Sequence, residues 1–166
     1  AVLFIFKYVN FFNDNFADVV MRHPKRFAAF ATTLPLGGKP ALDELERAVK
    51  GLGLKGVLMN AQVNGQPVDS RQLWPFYEKV SKLGVAIFVH PSIKLEGFDA
   101  CEAPYDLFRT IAREFDLALA TFRFCAGGVL EEFPGVKIIM AHFGGGFSSI
   151  KERMYRYLDF LGARLW

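Results

Sequence analysis

A chain of 166 residues, 52% hydrophobic and 22% charged, is long enough to bury one sizeable core and too apolar for a disordered segment. Its formal charge of +3 comes from Lys and Arg interleaved with Asp and Glu along the whole chain, which excludes a dedicated nucleic-acid binder with its clustered basic face. Two cysteines, Cys101 and Cys125, are too few for a disulfide framework and match no zinc-ribbon spacing, so they read as reduced thiols of a cytoplasmic protein.

The first apolar run, Ala1 to Phe6, is broken by Lys7 and Asn10. That is far short of the roughly 20 residues a bilayer needs, and no basic start or small-residue cleavage site marks a signal peptide. Val9, Phe12, Phe16 and Val19 then recur at helical spacing until His23-Pro24. Phe27 to Ala31 reads as a buried strand ending at Thr32-Thr33. Leu42, Leu45, Val49 and Leu52 mark a helix with Pro40 near its first turn and Gly53 just past its end.

The cycle repeats. Gly56 to Met59 reads as a strand ending at Asn60, followed by a polar loop with Gly65 and Pro67. A helix from about Asp69-Ser70 carries Leu73, Phe76, Val80 and Leu83 on one face and closes at Gly84. Val85 to Val89 is a third strand, apolar without alternation as in a strand covered on both sides, and it ends at His90. After a longer loop, Pro104 opens a helical stretch with Leu107, Ile111, Phe115 and Leu119 as its apolar face. Gly127-Gly128 interrupts it, and Val129 to Phe133 forms a short turn. Val136 to Ala141 is a fourth strand, ending at His142. Gly144 to Gly146 follow, then a last helix with Ile150, Met154, Tyr157 and Leu161.

Alternating strand and helix units at this spacing predict an α/β fold with a parallel sheet. No G-x-G-x-x-G lies between a strand and a helix, so the dinucleotide-binding version of an open sheet has no support. Every strand gives way to a polar residue: Thr32, Asn60, His90 and His142. In parallel α/β folds that edge is where active sites are built. An imidazole fixed at a strand end can bind a divalent metal or move a proton near neutral pH, although a histidine there can also simply cap the strand. Asn60 can meet a substrate or cap its loop. Gly144 and Gly145 can leave room for substrate beside His142 or serve a tight turn. His23, in a helix-ending Arg-His-Pro segment, reads as a surface residue. Arg153, Asp99 and Glu102 are weaker candidates for reaching the site.

Phe88-Val89-His90-Pro91 and Ala141-His142-Phe143-Gly144-Gly145-Gly146-Phe147, with Lys151-Glu152-Arg153 beyond, resemble motifs of the amidohydrolase-related family. That family includes 2-amino-3-carboxymuconate-6-semialdehyde and resorcylate-type decarboxylases. Arg22 to Phe27, Leu73-Trp74-Pro75-Phe76-Tyr77 and Gly128 to Pro134 add to the likeness, which runs from about residue 17 to 160.

The resemblance implies a distorted (β/α)8 barrel of the TIM type, of which residues 1–166 form one domain of about four to five consecutive βα units from the centre. It implies one divalent metal, commonly zinc, with His90 as a metal ligand and His142 as the acid/base. Asn60, Gly144 and Gly145 would stand on the substrate side. The reaction would be hydrolysis or decarboxylation of a small carboxylated organic molecule, in a cytoplasmic homo-oligomer that binds neither membrane nor nucleic acid. Because the chain begins without Met, it reads as a fragment. The family's His-x-His pair and late Asp would lie before residue 1 and after residue 166. Another reading is a catalytically incomplete barrel piece acting as a binding or oligomerisation module.

Overall fold

The computed structural model describes residues 2–92, 99–101 and 105–160, with side chains from residue 7 onward. Helix α1 (Val2–Arg22) leads to strand β1 (Phe30–Ala31), then α2 (Gly38–Glu46), which tightens into a π-helical turn over Arg47–Gly51. Strand β2 (Gly56–Asn60) is followed by a small hairpin of β3 (Gln62–Val63) and β4 (Gln66–Pro67). A 3-10 turn, Arg71–Leu73, runs into α3 (Trp74–Leu83), and β5 (Ala86–His90) follows. Beyond a short 3-10 turn at Asp99–Cys101, a π-helical turn (Phe108–Ala112) leads into α4 (Arg113–Ala126), then α5 (Val129–Glu132) and β6 (Lys137–Met140). The last elements are α6 (His142–Gly145) and α7 (Phe147–Phe160). None of the described helices is long and apolar enough to cross a membrane.

Two compact units result. One comprises Ala1–Met59, Gln72–Phe88 and Phe133–Ile139, the other Asn60–Arg71, Val89–Glu132 and Met140–Trp166.

The first unit carries most of the sheet, whose order is β1-β2-β5-β6, and the strand-end residues Asn60, Val89, His90 and Met140 belong to the second. Each strand lies beside the one before it, as successive βα units require. β1 and β2 run parallel, with Phe30 opposite Gly56 and Ala31 opposite Val57. Gly56 has a packing reason: a Cβ there would sit 2.2 Å from the Phe30 ring, and that ring stacks on Phe88 at 5.7 Å. Leu45, Val57, Phe76, Tyr77, Val80 and Ile87 are fully buried. These residues come from both helices and strands, so the apolar periodicities read from the sequence converge on one core. At the end of α3, Gly84 takes the left-handed conformation at φ 69°, and its N–H reaches the carbonyls of Val80 and Ser81.

A buried polar tie crosses this unit. Asn13, fully buried on α1, accepts the Thr32 N–H at 2.8 Å. Its amide donates to Thr32 O and to Glu44 Oε1, and Arg47 holds the other Glu44 oxygen at 2.6 Å. Thr32, expected at the strand's functional edge, is thus engaged by its backbone in holding β1 to α1. Asn13→Ala orphans the part-buried Thr32 N–H and removes a donor from Glu44, so it should cost about 1–3 kcal/mol of stability, read as a lower urea midpoint.

The structure corrects three expectations. The strand expected over Phe27 to Ala31 shortens to Phe30–Ala31, because Phe27 is exposed and packs on His23 instead. The polar loop after β2 holds the β3–β4 hairpin, turning through Asn64 and Gly65, both left-handed. Asn-Gly is the strongest short hairpin signal, and it was present in the sequence. Over the π-helical turn and α4, three of the four residues of the expected face, Ile111, Phe115 and Leu119, are exposed, while Ala112, Asp116, Leu117, Ala120 and Phe124 are buried. Small alanines let the helix seat on that side. Ile150 and Tyr157 on α7 are likewise exposed, and Glu102, Pro104 and Leu161 lie outside the described residues.

Candidate active site

The site residues belong to the second unit. His90 is the last residue of β5, and His142 follows β6 after one intervening residue, Ala141. The Ala61 N–H donates to His90 O, and the Ala141 N–H donates to Val89 O, both at 2.9 Å. The backbone carrying His90 is therefore bonded on both sides, and its half-buried ring inherits that fixed origin. The His90 and His142 rings stand 5.8 Å apart, centroid to centroid, and nearly perpendicular at 83°. The two histidines singled out by position do meet.

His142 opens an unusual segment. From His142 to Gly146 every residue has positive φ: 48°, 53°, 72°, 63° and 78°. For His142 and the exposed Phe143 this conformation costs about 1–2 kcal/mol each, and such strain concentrates at functional sites. The segment is held against α4. A Cβ on Gly145 would lie 1.8 Å from Glu114 O and 2.8 Å from Ala118 N, so no side chain can stand between this turn and the helix. That contact gives Gly145 a packing reason, and Gly144 is buried near Thr121.

The close seating delivers a partner to His142. Its Nδ1 is 2.6 Å from Glu114 Oε1, on the first turn of α4. A carboxylate accepts, so Nδ1 carries the proton and the lone pair of the neutral ring is on Nε2. His90 shows the same pattern with a backbone acceptor, Nδ1 lying 3.1 Å from Pro91 O. Imidazoles anchored through one nitrogen by an oxygen are a usual feature of metal and proton-transfer sites, because the anchor fixes both tautomer and ring direction.

A second cluster lies behind. Asp116, 1% exposed, accepts from Gln62 Nε2 at 2.9 Å and from the Ser92 N–H at 3.1 Å. The Ser92 hydroxyl accepts the Gln62 N–H at 3.0 Å. Burial pushes the Asp116 carboxyl above the ordinary aspartate range, opposed by the Ser92 and Gln62 hydrogen bonds. The folded state therefore holds this proton to higher pH than the unfolded chain does. The resulting stability is present in acid and is lost as pH rises from the ordinary aspartate value through the raised one. Asp116→Asn should remove that falling limb from a pH series of chemical unfolding.

Asn60 is exposed at the end of β2, the strand beside β5. Arg153 is exposed on α7 and Asp99 on its short turn. Glu114, Gln62, Ser92 and Asp116 were not singled out from the sequence. One signal existed for Asp116: it is a lone charge inside the apolar run Phe115 to Ala120.

The donor set can be weighed against a metal. Two anchored imidazoles suit a divalent ion, but catalytic zinc takes about three protein ligands. Among the described residues no group of three or more His, Cys, Asp or Glu side chains could hold an ion. These residues fit a metal as part of a donor set and do not complete one.

Comparison with known proteins identifies relatives of the chain. The Dictyostelium discoideum 2-amino-3-carboxymuconate-6-semialdehyde decarboxylase is 34% identical over 82% of this chain, which spans 38% of that protein. The crystal structure of the Rhizobium 2,6-dihydroxybenzoate decarboxylase superposes with a TM-score of 0.81 at 32% identity, over 92% of this chain and 50% of that one. A dihydroxybenzoic acid decarboxylase from Polaromonas, solved with bound manganese and the inhibitor 2-nitroresorcinol, gives 0.77 at 29% identity, over 92% and 48%. The chain thus spans about half the length of such relatives or less, and its four βα units correspond to part of a TIM barrel. The amidohydrolase family model matches residues 6–165, nearly the whole chain, and the chain belongs to that family.

Proposed function

We propose that the complete protein is a metal-dependent decarboxylase of a small aromatic carboxylate, in which His90 is a metal ligand and His142 the acid/base. The observation that carries this reading is the pair of rings 5.8 Å apart at the ends of adjacent strands, each anchored through Nδ1. Decarboxylation is preferred to hydrolysis because the three relatives named above are all decarboxylases. Zinc is the first metal to test, given imidazole donors, and manganese the second, given the Polaromonas structure.

A bound divalent ion would supply Lewis-acid polarisation of the substrate's oxygens. The remaining chemistry falls to side chains of this chain. As the C–C bond to the carboxylate breaks, its electron pair stays on the ring carbon, and CO2 leaves. His142 as imidazolium gives its Nε2 proton to that carbon, while the Glu114 carboxylate accepts from the Nδ1–H and orients the ring. Asn60, Gly144 and Gly145 form the substrate side in this reading. It includes a cytoplasmic enzyme, and one that self-associates, the latter supported by the exposed Phe115 and Leu119 on α4 and Ile111 on the turn before it.

The decisive assay loads the complete protein with zinc or manganese and follows CO2 release from hydroxybenzoates against hydrolysis of aryl amides and esters. Hydrolysis without CO2 release would reverse the assignment. A second reading, a binding or oligomerisation module, draws on the absence of a three-donor cluster among the described residues and on the exposed α4 face. A complete protein that binds no metal while self-associating would favour it.

A further inference from the structure

A buried carboxylate is expensive unless its surroundings use it. Asp116 is 1% exposed, and its hydrogen-bond partners, Gln62 and Ser92, are neutral. Arg123 lines the same cavity of about 210 Å³. It gives its guanidinium to Asp69 instead, at 2.8 and 3.0 Å. The acid is thus spent on two backbone exits from the sheet. Gln62 stands two residues past the end of β2, and Ser92 two residues past His90. Ser92 itself bridges back to Gln62 through its hydroxyl. One carboxylate on α4 ties together the chain segments that leave two neighbouring strands.

We propose that Asp116 is a positioning residue: by fixing the Ser92 N–H it locks the chain leaving β5 and so holds the aim of the His90 imidazole. The ring's own anchor is Pro91 O, which lies between the fixed strand end and the fixed Ser92 amide. A peptide plane pinned on both sides leaves the imidazole one direction. A second set of contacts behind a ligand is the kind of support whose loss commonly weakens metal binding by about 10- to 100-fold. One readout of the proposal rests on the reading of His90 as a metal ligand; the other does not.

The experiment compares Asp116→Ala, Asp116→Asn and Asn13→Ala in the complete protein, with His90→Ala alongside. It measures zinc affinity by chelator competition and amide hydrogen exchange at Ser92. Asp116→Ala should weaken zinc by about 10- to 100-fold and expose the Ser92 amide to exchange. Asp116→Asn should recover most of both, since its amide oxygen can still accept from Ser92 and Gln62 can turn its own amide to match. Asn13→Ala lowers stability elsewhere and should leave zinc affinity nearly unchanged, which separates positioning from general loosening. The proposal is overturned if Asp116→Ala binds zinc as wild type does, if Asp116→Asn is as weak as the alanine, or if Asn13→Ala loses as much affinity. Full zinc in His90→Ala would remove the metal reading instead, and Ser92 exchange then decides. If Asp116→Ala does not fold, the wild-type protein suffices: a Ser92 amide exchanging like an open loop overturns the clamp, and strand-like protection supports it.

Discussion

In the complete protein, His142→Ala is expected to keep its metal and lose turnover by a factor of about a hundred to ten thousand, the usual contribution of a positioned acid/base. His90→Ala is expected to lose the metal itself, because catalytic sites of this kind have few protein ligands to spare. The two rings are only 5.8 Å apart, so proximity alone does not separate their roles. Their anchors do. The half-buried His90 leans on a backbone carbonyl, a neutral acceptor suited to a ring that stays neutral and donates a lone pair. His142 leans on the Glu114 carboxylate, an acceptor that fixes Nδ1–H and leaves Nε2 as the nitrogen that exchanges a proton with substrate. Elemental analysis and CO2 release, run on the same preparations, test the division. Full metal in the His90 variant, or full turnover in the His142 variant, would reject the corresponding role. Glu114→Gln should fall between wild type and His142→Ala, since the acceptor oxygen survives while the charge does not.

The parts of this site legible in the sequence were those set by local pattern. Val85 to Val89 is an unbroken apolar run and Val136 to Ala141 is broken only by Lys137, so the histidines after them were expected at the edge where a parallel sheet opens. The long helices were legible for the same reason, and Gly84 marked one of their ends. What failed was anything decided by distant packing. The Phe27 to Ala31 run is as apolar as the later strands, yet only two of its residues pair, because nothing local records which neighbours will cover it. Over the π-helical turn and α4 the larger apolar residues suggested one face, and the structure buries the face with Ala112, Asp116 and Ala120. Glu114 and His142 are 28 positions apart and Gln62 and Asp116 are 54 apart. No periodicity links such pairs, so neither the carboxylate on His142 nor the clamp behind His90 could be read from spacing.

Gly145→Ala is expected to be among the most damaging single-methyl changes in the chain, costing about 2 to 5 kcal/mol or preventing folding. Two penalties add. The residue sits at φ 63°, where an L side chain costs about 1–2 kcal/mol. The new Cβ would also stand 1.8 Å from Glu114 O and 2.8 Å from Ala118 N. Both are backbone atoms of α4, so no rotamer change relieves the clash and the whole turn must move off the helix. His142 travels with it, since only two residues separate them, and its 2.6 Å contact with Glu114 would open. Urea unfolding should therefore show a large drop in midpoint, and any folded fraction should lose turnover while keeping the His90 side of the site. Gly146→Ala provides the control: it has a positive φ of 78° but nothing within 4 Å of its Cβ, so only the conformational penalty applies. Equal losses in the two variants would mean that close seating on α4 is not what holds His142.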